Sequence, residues 1–179
     1  MGLFYFPDIF IWFAKNNKEC INQFMRSVLI LHNIRSTHNV GSIFRTADAA
    51  GVSEIFLSGY TPRPIDAFGK ERKDIAKTAL GAEKSIPWSY AKTPSAFIKK
   101  LKNGGFSLVA IEQSPSSVDY KKIKIKYPVA ILLGNEVKGL SSGLLKKCDQ
   151  VAEIPMKGKK ESLNVSVAAG VALFRILGI

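Results

Sequence analysis

The chain has 179 residues, about the size of one domain, and its 46% hydrophobic and 22% charged residues are typical of a globular protein. Lysine and arginine number 26 against 14 aspartate and glutamate, a formal net charge of +12 that favours a polyanionic partner, most commonly nucleic acid, over a merely soluble basic protein. Cys20 and Cys148 belong to no spaced cluster, which argues against a structural metal and for a reducing compartment, the cytoplasm.

The first 24 residues are rich in aromatic side chains, but Pro7 and Asp8 interrupt them. No run approaches the ~20 apolar residues of a membrane span, and no basic segment precedes the apolar residues as in a secretory signal. Residues 1–24 are therefore predicted to be a helical extension that docks its apolar face on the body of the protein or on a second subunit. A peripheral membrane anchor is the weaker alternative, and Met25 as the natural first residue is another.

Strand and helix signals alternate along the rest of the chain. Residues 27–31 form an apolar run typical of a buried strand, and Ser36-Thr37 precedes an apolar stripe that predicts a helix ending at Gly51. Residues 59–70 hold two prolines and two glycines and predict a long loop. Residues 121–126 suit either an edge strand or a basic loop. The other predicted elements are strands over 54–57, 86–88, 106–111, 129–133 and 151–154, and helices over 71–80, 93–103 (Thr93 as cap, Pro94 in first position), 140–148 and 164–177.

This alternation predicts an α/β fold: a single-domain parallel sheet with helices on both faces, over residues 25–179. The segments 106–111 and 129–133 are apolar and rich in β-branched residues, as parallel strands buried on both faces should be.

The segment HNIRSTHNVGSIFRTA, residues 32–47, places Arg45 beside Phe44 inside the first predicted helix. Arginine in an amphipathic helix usually lies on the solvated face. The segment is therefore either an ordinary strand-to-helix turn or half of an active site.

Two further segments end buried strands with polar residues that the fold does not need. In LLGNEVKGLS, residues 132–141, a glycine allows close approach of a ligand. Asn135 and Glu136 follow it at the edge where open α/β sheets bind ligands, although a turn with a helix-capping acid is the simpler alternative. In residues 154–174, Ser162 and Asn164 precede a helix of small residues, and either could simply cap it.

Together these segments resemble a known family. The patterns N-x-G-x-x-x-R (Asn39, Gly41, Arg45), L-G-N-E-x-x-G-L (133–140) and I-P-M…S-L-N-V-S-x-A (154–168) are similar to the three motifs of the SpoU, or TrmH-type, RNA ribose 2′-O-methyltransferases of the SPOUT superfamily. The resemblance spans about residues 28–177 in matching order and spacing, and three motifs together are specific where one would be weak. The sequence contains no G-x-G-x-x-G, P-loop or G-x-S-x-G pattern. It therefore gives no sign of a dinucleotide enzyme, a nucleotide hydrolase or an α/β-hydrolase.

The resemblance implies a C-terminal deep trefoil knot, the SPOUT α/β knot, in which S-adenosylmethionine binds in a bent shape. It also implies a homodimer in which residues of one subunit complete the site of the other, and no metal. The positions that would contact the cofactor by this resemblance are Ile111, Gly134, Asn135, Ile154, Met156 and Leu163.

The resemblance also implies which side chains act. Arg45 occupies the position assigned the catalytic role, and because guanidinium stays protonated we expect it to hold a phosphate and stabilise negative charge on the ribose oxygen. Asn39 would fix Arg45 or the substrate, and Glu136 would orient Arg45 across the dimer or accept a hydrogen bond from the ribose. Ser162 and Asn164 would complete the polar rim.

Four basic residues near the predicted 59–70 loop suit an RNA backbone: Lys70, Arg72, Lys73 and Lys77. A solvated basic face is the alternative. The predicted substrate is tRNA or ribosomal RNA, with tRNA favoured by the compact chain. Two rival functions are a non-catalytic RNA-binding or assembly factor on the same fold, against which the full set of polar residues argues, and a small-molecule α/β enzyme, against which the +12 charge argues.

Overall fold

The computed structural model describes residues 25–179, so the predicted N-terminal helical extension lies outside the described residues. Within them the chain forms a seven-stranded sheet and six helices. In chain order the elements are β1 (Ser27–His32), α1 (Thr37–Ala49), β2 (Glu54–Ser58), α2 (Lys73–Ala79), α3 (Ala82–Ser85), β3 (Trp88–Ala91), α4 (Ser95–Asn103), β4 (Ser107–Ile111), β5 (Val118–Asp119), β6 (Val129–Leu133), α5 (Ser142–Leu145), β7 (Gln150–Glu153) and α6 (Val165–Leu177).

All strand pairs in the sheet are parallel, and the strand order is β3-β2-β1-β6-β4-β7-β5. In the central register, Leu31 of β1 pairs with Leu133 of β6, which in turn pairs with Ile111 of β4. The carboxyl ends of these three strands therefore lie side by side at one edge. The segments that follow them are Asn33 onward, Glu112 onward and Gly134 onward, so two of the three motifs start at this edge.

Alternate residues of the strands fill two separate cores, one on each face of the sheet. On one face Leu29 and Leu31 of β1 pack with buried residues of α1 and α6. On the other face Val28 and Ile30 pack with buried residues of α4 and α5. The prediction of a parallel sheet covered by helices on both faces is confirmed.

Gly41 of the first motif has a packing role. A Cβ at this position would collide with the Thr78 hydroxyl and the Ile75 carbonyl of α2. The absence of a side chain therefore lets α2 pack closely on α1. The predicted ends of α1 are also confirmed: the Ser36 side chain accepts from the backbone N–H of Asn39, and Gly51 follows the helix with φ +69°.

Several predicted boundaries are wrong. The strand predicted over 86–88 is β3, which runs to Ala91, because residues 82–85 form a helical turn and Ile86 caps it. The predicted Thr93 cap is absent: α4 starts at Ser95 after Pro94, without a side-chain capping hydrogen bond.

Two predicted helices are shorter than expected. The helix predicted over 140–148 is only α5, because its residues continue as turns before β7. The helix predicted over 71–80 shortens to α2, which ends at Leu80 in the left-handed conformation. Of the two alternatives for residues 121–126, the loop is confirmed. Its Ile123 and Ile125 pack on the core, and the edge of the sheet is the two-residue strand β5.

No helix within residues 25–179 is long and apolar enough to span a bilayer. The threading of the C-terminal segment into a knot stays a prediction from the resemblance.

Candidate active site

A cavity of about 290 Å³ lies at the carboxyl edge of the sheet. Its walls come from the end of β4 and the turn after it, from residues 133–139 after β6, and from the segment between β7 and the first turn of α6. Parallel sheets bind ligands at this edge because strand ends and loops converge there. The lining residues are Ile111, Glu112, Gln113, Leu133, Gly134, Asn135, Glu136, Val137, Gly139, Glu153, Ile154, Met156, Glu161, Ser162, Leu163, Val165 and Ala168.

All six residues predicted to contact a cofactor line this one cavity. Gly134 and Leu163, 29 residues apart in the sequence, are brought to the same space by the pairing of β6, β4 and β7. Glu136 and Ser162, predicted to act in catalysis, also line it.

The cavity is acidic in a chain with a net charge of +12. Its lining contains four glutamates and neither lysine nor arginine. Apolar side chains cover the rest of its wall, among them Ile111, Ile154 and Met156. Such a surface favours a ligand that combines flat apolar parts with positive charge.

A chain of hydrogen bonds joins the three motifs. The Asn39 side-chain amide donates to Glu136 Oε1 at 3.2 Å, and Asn39 Oδ1 accepts from the Asn164 amide at 3.2 Å. Asn164 Oδ1 in turn accepts from the backbone N–H of Ser166 at 2.9 Å. The alternative in which Asn164 caps α6 is therefore confirmed, and the same side chain also reaches the first motif.

Glu136 is held at the start of α1 by backbone as well as by Asn39. Its carboxylate accepts from the N–H of Arg35 at 3.1 Å and from that of Ser36 at 3.5 Å. Burial alone raises the pKa of the Glu136 carboxyl. The N–H groups of Glu136 itself and Arg35, the Asn39 amide and the Ser36 N–H nevertheless favour the ionised form, so the net pKa lies below its usual value.

Asn135 is buried, and its side chain fixes the loop around it. Its amide donates to the Asn33 carbonyl at 3.0 Å and to the Tyr60 hydroxyl at 2.8 Å. Its Oδ1 accepts from the N–H groups of Val137 and Lys138, an arrangement that closes a tight turn. The side chain of Asn135 is therefore engaged within the protein, and its carbonyl accepts from the N–H of Gly139 at 3.0 Å.

Gly134 allows the same loop to fold back closely on itself. A Cβ at this position would lie 2.7 Å from Leu140 Cγ and 2.9 Å from the Gly139 carbonyl carbon, closer than packed atoms approach. Glu112, directly after β4, accepts from the N–H of Leu140 at 2.8 Å and fastens the far end of the loop. Glu112 was not predicted, although a carboxylate directly after a buried strand was a usable signal.

The loop before α6 is tied to the same edge. The Gln113 side-chain amide donates to the Glu161 carbonyl at 2.7 Å. This bond holds the segment that carries Ser162 and Leu163 against the residues after β4. Gln113 had no signal in the sequence, because its partner is a backbone carbonyl 48 residues away.

Arg45 lies on a different side of α1 from Asn39. Six residues separate them, which places Arg45 roughly 9 Å further along the helix and about 120° around it. The Arg45 side chain is exposed, lies outside the core, and does not line the cavity. Within residues 25–179 its guanidinium has no hydrogen bond or salt bridge to another side chain.

The four predicted RNA-binding residues lie together at and before α2. Lys70, Lys73 and Lys77 are exposed, whereas the Arg72 guanidinium is paired with Asp74 at 3.2 Å. Of these four residues, Arg72 is the one whose charge is already paired with a carboxylate. In the described part of the chain, no group of three or more His, Cys, Asp or Glu is arranged to hold a metal ion.

Comparison with protein families gives one match over most of the chain. Residues 26–174 match the model of the SpoU rRNA Methylase family. A protein of Staphylococcus saprophyticus named for the TrmH family of tRNA/rRNA methyltransferases is 34% identical over 152 residues, which cover 85% of this chain and 58% of that protein. The chain therefore spans a little more than half the length of this curated relative.

Solved structures show the same fold. An AdoMet-bound rRNA methyltransferase from Sinorhizobium meliloti superposes with a TM-score of 0.78 at 35% identity, covering 86% of this chain and 56% of that one. A structure described as an RNA 2′-O ribose methyltransferase gives a TM-score of 0.74 at 27% identity, covering 86% and 56%.

Proposed function

The chain belongs to the SpoU rRNA methylase family, and on that premise we propose that it transfers a methyl group from S-adenosylmethionine to a ribose 2′-hydroxyl of tRNA or ribosomal RNA in the cytoplasm. The observation that carries this proposal is one acidic cavity lined by the second and third motifs, to which the first motif is joined by the hydrogen bonds from Glu136 through Asn39 to Asn164.

The cavity fits this cofactor in chemistry. Flat apolar walls at Ile111, Ile154 and Met156 suit an adenine ring, and the glutamates suit a cationic sulfonium and amino group. Close packing of Gly134 on Leu140 and Gly139 fixes the loop whose backbone lines the cavity at this position. When bound, S-adenosylmethionine supplies an already activated methyl group, so the protein has to position the acceptor and manage its proton.

The residues of the chain would then act on the ribose. A hydroxyl is a weak nucleophile until its developing negative charge is stabilised. A guanidinium cannot take the proton, but it can bind the neighbouring phosphate through two N–H groups and stabilise the oxygen as the proton leaves to a phosphate oxygen or water. We assign this part to Arg45, whose guanidinium is free for it within the described residues.

Asn39 and Glu136 would be positioning residues for this step. Their hydrogen bond fixes the first turn of α1 against the loop after β6. Ser162, on the cavity wall, would contribute a hydroxyl to the rim where the ribose enters. Asn164 would hold the start of α6 in line with that rim through Asn39.

A second copy of the chain would bring Arg45 to a cavity. Arg45 does not line the cavity of its own subunit, and its neighbour Thr46 lies against Gly170 of α6, with 3.6 Å between Thr46 Cγ2 and the position of a Cβ on that glycine. The same helix exposes an apolar stripe at Val167, Val171 and Phe174. A homodimer that buries this stripe would place Arg45 at the subunit boundary, which supports its action on the partner's site.

The direct test measures transfer of tritium from labelled S-adenosylmethionine to total tRNA and ribosomal RNA. We expect transfer by the wild type, and loss of more than about 100-fold in Arg45→Ala with cofactor affinity within about twofold, because the guanidinium acts on the transition state. Lys99→Ala, an exposed change on α4 across the sheet, is the control. RNA binding without transfer would instead indicate the non-catalytic factor, and equal loss of transfer and cofactor affinity in Arg45→Ala would mean that Arg45 is structural.

The dimer proposal has its own test. Arg45→Ala and Gly134→Ala are each expected to be inactive. If Arg45 serves the partner's cavity, mixing and re-annealing the two variants gives mixed dimers with one intact site, and about a quarter of the wild-type activity returns. If Arg45 serves its own cavity, each mixed dimer pairs two defective sites and no activity returns.

A further inference from the structure

The cavity continues onto the surface beside it. A recess of about 490 Å³ adjoins it and is lined by Arg35, Tyr60, Asn135, Val137 and Lys138. Asn135 and Val137 line both spaces. Tyr60 is the aromatic residue in the wall of this recess.

A second recess, of about 260 Å³, extends the path on the other side of Tyr60. Its lining includes Tyr60, Arg63, Arg72 and Tyr90. Because Tyr60 lines both recesses and Asn135 lines the first recess and the cavity, the three depressions adjoin one another, and together they outline a path towards the cavity. We call the residues Arg35, Tyr60, Arg63, Tyr90 and Lys138 the aromatic track.

Tyr60 is exposed but fixed. The residue is 56% exposed, yet its hydroxyl accepts from the Asn135 amide at 2.8 Å. Its backbone N–H donates to Asn33 Oδ1 at 3.2 Å. With the polar tip tied to a residue of the cavity wall, the ring presents a flat face to solvent without the freedom of an ordinary surface tyrosine. This is the form of a stacking platform for a planar group.

Tyr90 continues the same pattern. Its hydroxyl donates to the Gly59 carbonyl at 2.8 Å, and the Arg63 guanidinium lies 5.0 Å from the centre of its ring. The residue is 40% exposed. The track thus has two fixed aromatic rings with a guanidinium beside the second.

The charge along the track is positive. Arg35 and Lys138 are exposed around the first recess, and Arg63 borders the second. The carboxylate in the lining of the second recess is Asp66. It accepts from the N–H groups of Phe68 and Lys70 at 2.8 and 2.9 Å and so stabilises the turn in which it lies. Alternating cations and exposed aromatic rings are the surface that binds single-stranded nucleic acid, because bases stack while phosphates pair with cations.

We propose that the aromatic track binds an unpaired RNA segment next to the target nucleotide, with one base stacked on Tyr60. The inference rests on the proposed function for the direction of the path, from the track into the cavity. In a duplex the faces of the bases are covered by their neighbours, so a stacking platform at the mouth of the cavity selects a target in a loop or another single-stranded region.

The experiment uses the full chain and a single-stranded RNA of about 12 nucleotides, within the footprint of single-strand-binding proteins, that carries the fluorescent base 2-aminopurine. Stacking on an aromatic ring quenches this base, so fluorescence reports contact and anisotropy of an end label reports affinity. The same strand annealed to its complement is the duplex control. The variants are Tyr60→Leu, which removes the ring, and Tyr60→Phe, which keeps it. Phe68→Leu is the matched control, an 88% exposed aromatic on the same loop that lines none of the three depressions.

We expect the wild type to quench and bind the single strand and to bind the duplex more weakly. Tyr60→Leu should lose the quenching and weaken binding between about 5- and 150-fold, the range for one stacked base. Tyr60→Phe should keep the quenching with affinity within about threefold, and Phe68→Leu should match the wild type. Quenching and affinity unchanged in Tyr60→Leu, a loss as large in Phe68→Leu, equal binding of the duplex, or no binding of the single strand would each overturn the proposal.

Methyl transfer to total RNA, measured in parallel, separates this proposal from the one on which it rests. A wild type that transfers the methyl group while Tyr60→Leu binds RNA as the wild type does would refute the track alone. A wild type that transfers nothing, while Tyr60→Leu loses quenching and affinity as expected, would refute the proposed function and leave the track as an RNA-binding surface.

Discussion

Replacement of Asn39 tests the hydrogen bonds that join the three motifs. Asn39 donates to Glu136 and accepts from Asn164, and both distances are 3.2 Å. Asn39→Ala removes both bonds. A neutral bond contributes about 1 kcal/mol and a bond to a carboxylate about 1.5–3 kcal/mol. Because the site is half exposed, the lower values apply, and we expect the free energy of unfolding to fall by about 2 kcal/mol.

Asn39→Asp is the sharper change, because it keeps the shape and alters one group. The aspartate still accepts from Asn164 but places a second carboxylate against Glu136. Two like charges about 4 Å apart near a protein surface repel by up to about 4 kcal/mol, of which rotation and protonation relieve a large part. At pH 8 we therefore expect Asn39→Asp to be on the order of 1–2 kcal/mol less stable than Asn39→Ala.

The pH dependence of the two variants distinguishes the interaction from a general defect. In the wild type the pKa of Glu136 is lowered, so its contribution to stability is present above the carboxylate's ordinary pKa and is lost as the pH falls through the lowered value. In Asn39→Asp the paired carboxylates share a proton, which raises the pKa of the pair, and stability should recover relative to Asn39→Ala as the pH falls from 8 to about 5.

Urea denaturation at pH 8 and pH 5, with methyl transfer at pH 8, measures these effects. We expect both variants to transfer the methyl group more slowly than the wild type at pH 8. The free energy of unfolding of Asn39→Asp should rise relative to that of Asn39→Ala between pH 8 and pH 5. Wild-type stability and transfer in both variants would refute the hydrogen-bond chain as a feature of the protein in solution. Equal losses at both pH values would refute the interaction with the Glu136 carboxylate in particular.

Three other predictions follow from single features of the structure. Gly134→Ala should lower the free energy of unfolding by about 1–3 kcal/mol and weaken S-adenosylmethionine binding in calorimetry, because its Cβ has no room, while Gly143→Ala, with nothing within 4 Å, should do neither. Burial and the neighbouring Asp149 raise the pKa of the Cys148 thiol to about 11, so alkylation at pH 8, followed by mass spectrometry of its peptide, should be at least tenfold slower in the folded chain than in urea. That folded pKa lies above the unfolded value, so this thiol's contribution to stability is full below about pH 8.5 and declines as the pH rises toward 11. Reversing Lys73 and Lys77 to glutamate should weaken RNA binding and flatten its dependence on salt by a slope of about 1–2, and an unchanged slope would exclude both residues from the RNA footprint.

The sheet and its helices could be predicted because the signals are local. Apolar runs identified β1, β4 and β6, and the Ser36 cap with its apolar stripe identified α1. The elements β5 and α3 span two and four residues, one period of strand and about one turn of helix, and so left no pattern, and α5 is a single turn within a helix predicted to be longer. The packing role of Gly41 likewise could not be predicted from the sequence, because it depends on the contact of α2 with α1.

The residues of the site likewise fall into those that the sequence could identify and those that only the structure shows. Gly134, Glu136 and Leu163 could be identified because they belong to motifs that resemble a family. Glu112 and Tyr60 belong to no motif, and their roles depend on partners far along the chain: Leu140 at 28 residues and Asn135 at 75 residues. No periodicity encodes such pairs, because only the order of the strands brings them together.

The position of Arg45 is the point at which sequence and structure complement each other. Its motif places it with Asn39, whereas the helix turns it about 120° away from that side chain. The proposed homodimer would reconcile the two, because a guanidinium outside its own cavity can serve the cavity of the neighbouring subunit. That Arg45 lies outside the cavity could be seen only in the structure.

The central claim is that this cavity delivers a methyl group to a ribose oxygen, and the chemical position of the label tests it most directly. RNA methylated with tritiated S-adenosylmethionine by the wild type is hydrolysed in alkali, which cleaves next to every free 2′-hydroxyl. We expect the label to be recovered in alkali-stable dinucleotides, and Gly134→Ala and Arg45→Ala to yield almost none. Label recovered in mononucleotides, on a methylated base, would contradict it.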